Sequence, residues 1–504
     1  MFKGFFLLPI AALIGSGAQH EPPLYASRYS QHGSRNETHP TARSKYSPVA
    51  RERVRRLEAG LVPAILIKGQ PPPKMNLVDR MKHYKVPGVS IAVINNYRIE
   101  WAQGYGVVEA KSGKPVTTQT LFQGGSISKP VTAVAALRLV EDGKLQFDRD
   151  VNEKLISWKV PQNQFTEVQK VTLRRILSHT AGLSNSGVGE YSCDDPKPTL
   201  LQALDGFPPA KNPATRVLIT PGTRWSYSGG GYTVLQQLMI DVTGKHFEQL
   251  IDETIFARLK MRHSTFRQPP FGRSGFQFAV AHQSDGKKFK CPFSYPEMAA
   301  AGISSTPSDL ARLIIDIQKV KTGSSRGILS PQMVERMLTP QFDNGALGFF
   351  ISGEGKSRRF SHGGGNQGFF SYMVGYADTG QGAVVMVNGT DYWELVHEII
   401  RGIALEYGWS GYLRERSLAK VDSKRLAELV GRYEVSTDWI LTLVDQDGRL
   451  ILMDDRSELL PESDREFFMM DGREFNFTTD DAGNVNGLVM RRNDFIIRAR
   501  KLRA

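Results

Sequence analysis

Two β-rich runs, Val89-Ser90-Ile91-Ala92-Val93-Ile94 and Tyr97-Arg98-Ile99-Glu100-Trp101, flank Asn95-Asn96, a pair that tolerates positive φ; together they predict a hairpin. After Gly124-Gly125 the pattern changes to a long apolar segment, 131–139, which reads as a buried helix ending near Gly143. Helical spacing dominates from 126 to about 320. Strand character returns at 347–351, 369–376 and 382–388, and a helix is predicted over 392–407. Strands first, helices inserted, strands again and a helix last describe an α+β unit whose antiparallel sheet draws strands from both ends of the domain. From Ser423 the texture becomes short strands punctuated by Asp447-Gly448, Asp471-Gly472, Asp481-Ala482-Gly483-Asn484 and Asn493-Asp494, the spacing of a small meander or barrel. The expected organisation is a signal peptide over 1–18, a disordered leader over 19–53, the α+β domain over 54–410, a linker over 411–422 and a C-terminal β-barrel domain over 423–504.

Composition changes this picture little. With 504 residues, 40% hydrophobic and 23% charged, the chain is a globular protein large enough for more than one domain. Lys3 precedes an apolar stretch over 5–14, and Ser16-Gly17-Ala18 supplies the small residues of a cleavage site, so a periplasmic or secreted location is expected. The stretch is too short to span a bilayer; an uncleaved anchor is the alternative, and no later segment reaches spanning length. Of the net charge of +13, nearly half lies in residues 1–70, where ten basic side chains face four acidic ones. The remainder forms no basic-aromatic stripe, so nucleic-acid binding is not expected. A basic segment near an anionic cell surface, with cell-wall contact, explains the charge more simply. Cys193 and Cys291 are the only cysteines, which excludes a disulfide scaffold and a four-cysteine metal site. In an oxidising compartment they can pair with each other.

Candidate chemistry begins at Ser126-Ile127-Ser128-Lys129. A helix that starts here, with Pro130 in its first turn, puts Ser126 and Lys129 at i, i+3 on one face. A serine hydroxyl is a poor nucleophile unless something takes its proton, and a lysine with a lowered pKa can do so. The bland alternative is a serine that merely caps the helix. Trp225-Ser226-Tyr227-Ser228-Gly229-Gly230-Gly231-Tyr232 then places a phenol ahead of a tight glycine path and an apolar helix over 234–242, where Tyr227 can carry protons or simply pack. Phe360-Ser361-His362-Gly363-Gly364-Gly365-Asn366, ahead of a strand at 369–374, lets a substrate approach the backbone and offers an N–H to an oxyanion; by itself it is a flexible loop.

In this order, SxxK, YxG and HGG resemble the serine β-lactamase and penicillin-binding-protein family, specifically the class C β-lactamase-like branch that also holds D-alanyl-D-alanine peptidases, D-aminopeptidases and family VIII esterases. The stretches 89–106, Val171-Thr172-Leu173-Arg174, Leu177-Ser178-His179-Thr180-Ala181-Gly182-Leu183 and Ala300-Ala301-Gly302-Ile303-Ser304-Ser305-Thr306 look similar too, over residues 75–408. The final segment resembles the lipocalin-like domains appended to such hydrolases. The resemblance implies a β-lactamase/transpeptidase-like sheet flanked by helices, with Ser126 acylated, Lys129 its base and Tyr227 the proton shuttle. It also implies an oxyanion hole from the N–H groups of Ser126 and Gly365, beside Gly363 and Gly364, and no metal or organic cofactor. His362 stands where many relatives carry lysine and is a cation only part of the time near pH 7. Gly229 replaces the usual asparagine, removing a substrate-holding amide. Both departures weaken an antibiotic-degrading reading and leave acyl transfer intact.

Other motifs lead nowhere. His397-Glu398-Ile399-Ile400-Arg401 resembles a zinc-protease helix but ends in Arg, Gly124–Ser128 lacks the closing glycine of a nucleophile elbow, His179 reads as a structural hydrogen-bonder and Asp194-Asp195 as a turn. The expectation is a serine hydrolase acting on a β-lactam, a D-amino-acid peptide or an ester. Its alternatives are a carboxylesterase, a D-amino-acid peptidase and a non-catalytic cell-wall binder. Specificity is expected in loops 185–209 and 266–292.

Overall fold

The computed structural model describes residues 46–269, 275–390, 393–436, 439–492 and 495–502. The expected signal peptide over 1–18, and the leader up to residue 45, lie outside them. The end of that leader is instead helical: Pro48–Glu58, capped by Ser47, buries Ala50, Val54 and Leu57 at i, i+4 and i+7, a stripe masked by the basic residues between them.

Six strands form an antiparallel sheet in the order Arg98–Gly106, Gly88–Asn95, Gly382–Val387, Phe369–Tyr376, Arg359–Asn366, Phe350–Ser352. Val89 lies opposite Val387, so the sheet joins the start of the domain to its end, as the element order implied. Period 2 sends Val89, Ile91 and Val93 into a core shared with the helices Pro48–Glu58 and Trp393–Glu406, and Ala92 and Ile94 into the core of the opposite helical layer. That second layer holds the helices Ser128–Glu141, Gly229–Thr243 and Pro307–Lys321.

Two boundaries differ from expectation. The hairpin turns at Asn96-Tyr97, at φ of 51° and 58°, one residue later than Asn95-Asn96; this register sets Trp101 opposite Val93 in the same core. The edge strand is Phe350–Ser352 rather than 347–351, because Gly348 at φ 88° interrupts the extended backbone.

Strands from Gly431–Ser436 to Phe495–Lys501 close into an eight-stranded antiparallel barrel. Its interior is filled by side chains such as Leu441, Leu443, Phe467, Phe475, Phe477 and Leu488. A helix, Ser423–Leu429, stands where the texture suggested strands; Asp422 caps it, and Leu426 and Leu429 join the barrel cluster. The linker is held in place: Arg414–Arg416 pairs in parallel with Ile65–Ile67, and Arg416 forms ion pairs with Glu462 and Glu474 of the barrel. Among the described residues, no helix is long and apolar enough to cross a membrane.

Candidate active site

The short strand Phe122–Gly125 runs into a turn at Ser126-Ile127 and then into the helix Ser128–Glu141. The N-cap residue is Ile127, which makes no side-chain capping bond, so Ser126 is not the helix cap. Ser128 locks the turn by donating to the Gly125 carbonyl (2.6 Å) and accepting the Ile303 N–H (3.0 Å). Lys129 follows one turn after Ser126 and is 2% exposed; its Nζ lies 3.0 Å from Ser126 Oγ and donates to the Ala300 carbonyl at 2.8 Å. Burial pulls the Lys129 ammonium down from its ordinary 10.5 to about 7. At pH 7 its neutral fraction therefore rises from roughly one in three thousand to about half. A neutral amine here can keep its N–H on Ala300 and turn its lone pair to the Ser126 hydroxyl.

The Tyr227 phenol faces the same serine hydroxyl, which favours its ionised form against the effect of burial, and its ring centroid is 4.9 Å from Lys129 Nζ. Burial pushes this phenol well above its ordinary range, so it rests protonated. Two candidate proton carriers are thereby separated: Lys129 can accept a proton near neutral pH and Tyr227 can give one. His179 holds the tyrosine in place. Its ring lies 4.2 Å from the Tyr227 ring, its Nδ1 accepts the Ser228 N–H at 3.1 Å, and its carbonyl accepts the Ser226 N–H at 2.7 Å. Burial, then the Lys129 charge, depress His179 well below its ordinary range, so it is a neutral ring with its proton on Nε2.

The three glycines after Tyr227 are the first turn of the helix Gly229–Thr243, rather than a loop ahead of a helix at 234. Ser228 caps it, accepting the Gly231 N–H at 2.8 Å and donating to the Ser184 carbonyl at 2.8 Å. A Cβ on Gly229 would stand 2.8 Å from the Gly187 carbonyl oxygen, and one on Gly230 would stand 2.7 Å from that of Ser184. The backbone of the 184–187 loop thus fills the space an asparagine at 229 would need.

His362, Gly363, Gly364 and Gly365 also differ from the flexible-loop alternative: they lie within the strand Arg359–Asn366. A Cβ on Gly364 would meet the Gly124 carbonyl oxygen at 2.0 Å and the Ser126 nitrogen at 2.8 Å, and one on Gly125 would lie 2.7 Å from the Gly365 nitrogen. The glycines are required because strand and nucleophile turn touch backbone to backbone. Gly365 is exposed between buried Gly364 and Asn366, so its peptide borders the cleft at Ser126. His362 is corrected in charge. It is 3% exposed with Nδ1 2.6 Å from the Gly363 carbonyl, and burial, then the Lys129 charge, hold it down at about 3. It is neutral at pH 7, not a part-time cation.

Ser126, Lys129, Tyr227 and the 362–365 strand therefore converge, whereas Gly229 faces backbone. Sequence reasoning passed over Ser128 and the Ala300 carbonyl. Ser128 carried a signal as the second serine of the motif; a carbonyl contributed by an alanine carries none. His397 packs edge-on against Tyr372 and at a tilt against Trp393, Arg401 Nε donates to the Val62 carbonyl, and Asp195 closes a turn by accepting the Ser192 N–H. Cys193 and Cys291 are joined in a disulfide across 98 residues, one cysteine in each of the two stretches expected to set specificity. A surface concavity of about 540 Å³ at the sheet edge is lined by Pro340, Asn344, Ile351 and Arg358 among others, and contains none of the converging groups.

A family model described as Beta-lactamase matches residues 75–406. A teichoic acid D-alanine hydrolase of Staphylococcus aureus (strain MRSA252) is 27% identical over 281 residues, 55% of this chain and 66% of that protein. A β-lactamase of Pseudomonas fluorescens is 26% identical over 234 residues, 46% of this chain and 60% of the relative. The chain therefore matches less than two thirds of the length of either relative. Among solved structures, the octameric penicillin-binding protein homologue from Pyrococcus abyssi superposes with a TM-score of 0.57 at 21% identity, covering 84% of this chain and 98% of that one, a likeness of fold.

Proposed function

Since this chain belongs to the β-lactamase family, we propose that it is a serine hydrolase that cleaves an ester or amide through an acyl-Ser126 intermediate. One observation carries the reading: the Lys129 amine, buried and so pulled down to about 7, lies 3.0 Å from the Ser126 hydroxyl. Lys129 takes the hydroxyl proton as Oγ attacks the carbonyl carbon, and the oxyanion is held by the N–H groups of Ser126 and Gly365. When the tetrahedral adduct collapses, the departing oxygen or nitrogen takes its proton from Tyr227, which regains one from the Lys129 ammonium. Water then attacks the acyl carbon, giving its proton back through Tyr227, and Ser126 leaves with its hydrogen restored.

Two features support an ester over a β-lactam or a carboxylate-ended peptide: Gly229 supplies no amide, and His362 supplies no charge. The name of the Staphylococcus aureus relative keeps a D-amino-acid substrate as the second reading. A non-catalytic binder has no use for a buried lysine, whose desolvation opposes folding. The Cys193–Cys291 disulfide supports a periplasmic or secreted site of action.

Nitrocefin, p-nitrophenyl butyrate and a D-Ala-D-Ala peptide assayed side by side rank these substrates. Turnover of the ester above the other two, lost in Ser126→Ala, is expected. Turnover that persists in Ser126→Ala contradicts the reading.

A further inference from the structure

Tyr227, Trp225 and Phe350 are half-buried rings in one line of contacts that ends on His362. Ring centroids are 6.3 Å apart from Tyr227 to Trp225, 6.2 Å from Trp225 to Phe350 and 5.4 Å from Phe350 to His362. The Trp225 N–H is buried against Gly345 and has no hydrogen-bond partner among the described residues, so whatever the indole offers to solvent is carbon. The line begins at the phenol that gives its proton to the departing atom.

We propose that Trp225 and Phe350, backed by His362, form a leaving-group subsite that selects an uncharged, apolar departing fragment, such as an aryl alcohol. This rests on the acyl-Ser126 reading and narrows its substrate class. His362 offers a carboxylate no charge, since its ring is buried with Nδ1 turned to the Gly363 carbonyl. A carboxylate-bearing fragment would find rings along this wall and no ammonium or guanidinium to pair with. An aromatic fragment would meet aromatic faces and edges.

The test compares 4-methylbenzyl butyrate with 4-carboxybenzyl butyrate, which share an acyl group and differ in one charge remote from the scissile bond. The full chain is expected to favour the uncharged ester by at least about tenfold in kcat/KM. Phe350→Ala and Trp225→Ala, checked for folding by circular dichroism, are expected to lower the ratio of 4-methylbenzyl to methyl ester turnover by about tenfold. Equal or better turnover of the carboxylate ester by the unmodified chain overturns this proposal and leaves the hydrolase reading standing. No turnover of any ester, with no acyl adduct on Ser126, overturns both.

Discussion

The imidazole of His179 lies 4.2 Å from the Tyr227 ring while its Nδ1 takes the N–H of Ser228, so one side chain both positions the phenol and anchors the cap of the helix Gly229–Thr243. His179→Phe keeps a ring beside Tyr227 but leaves the buried Ser228 N–H without its acceptor, a loss of about 1–3 kcal/mol. Measured by steady-state kinetics, kcat is expected to fall roughly 10- to 100-fold with KM little changed, in keeping with a misplaced proton donor. An unchanged kcat would mean that Tyr227 is held without His179.

Lys129, pulled down to about 7, is a base only when deprotonated, so kcat/KM should fall as pH drops below 7 and level off above it. His362→Gln should leave that limb in place, because His362 stays neutral throughout this range. Movement of the limb in His362→Gln, by a pH unit or more, would assign it to the histidine.

The same lysine makes stability depend on pH. The unfolded chain holds the Lys129 proton up to about 10.5 and the folded chain only below about 7, so the unfolded state binds more protons between these values and stability rises with pH across that window. Lys129→Met removes the penalty and should stabilise the fold at pH 7 by about 1–4 kcal/mol, while acylation falls by several powers of ten. Chemical denaturation at pH 6 and pH 9 measures it; a variant less stable than the parent at both would contradict burial as the cause.

Gly229→Asn restores the residue common in related motifs, yet its Cβ would sit 2.8 Å from the Gly187 carbonyl oxygen. Overpacking of this kind costs about 1–3 kcal/mol. The variant is expected to lose stability in thermal melts and to gain no nitrocefin turnover. A gain in turnover would mean that loop 184–187 moves aside.

Much of this site was legible because its chemistry rides on side chains at fixed spacing. Ser126 and Lys129 are paired by one helical turn, and Val89, Ile91 and Val93 betray a two-faced strand by period alone. Contacts made by backbone were hidden: that Gly364 presses on Gly124, that Gly187 occupies the space at Gly229, and that Ala300 receives Lys129 are facts of close approach between distant segments. Glycine announces that room is needed, not what fills it. The neutral state of His362 was equally hidden, since its pKa is set by burial that a sequence does not display. The helix Pro48–Glu58 was missed because its apolar stripe is narrow and interrupted by Arg51, Arg53, Arg55 and Arg56.

Incubating the full chain with a fluorophosphonate at pH 8, followed by intact mass measurement and peptide mapping, addresses the central claim most directly. One adduct per chain, on Ser126, is expected, with none on Ser126→Ala and labelling slowed by several powers of ten in Lys129→Ala. An adduct on another residue, or equal labelling of Ser126→Ala, would contradict the account.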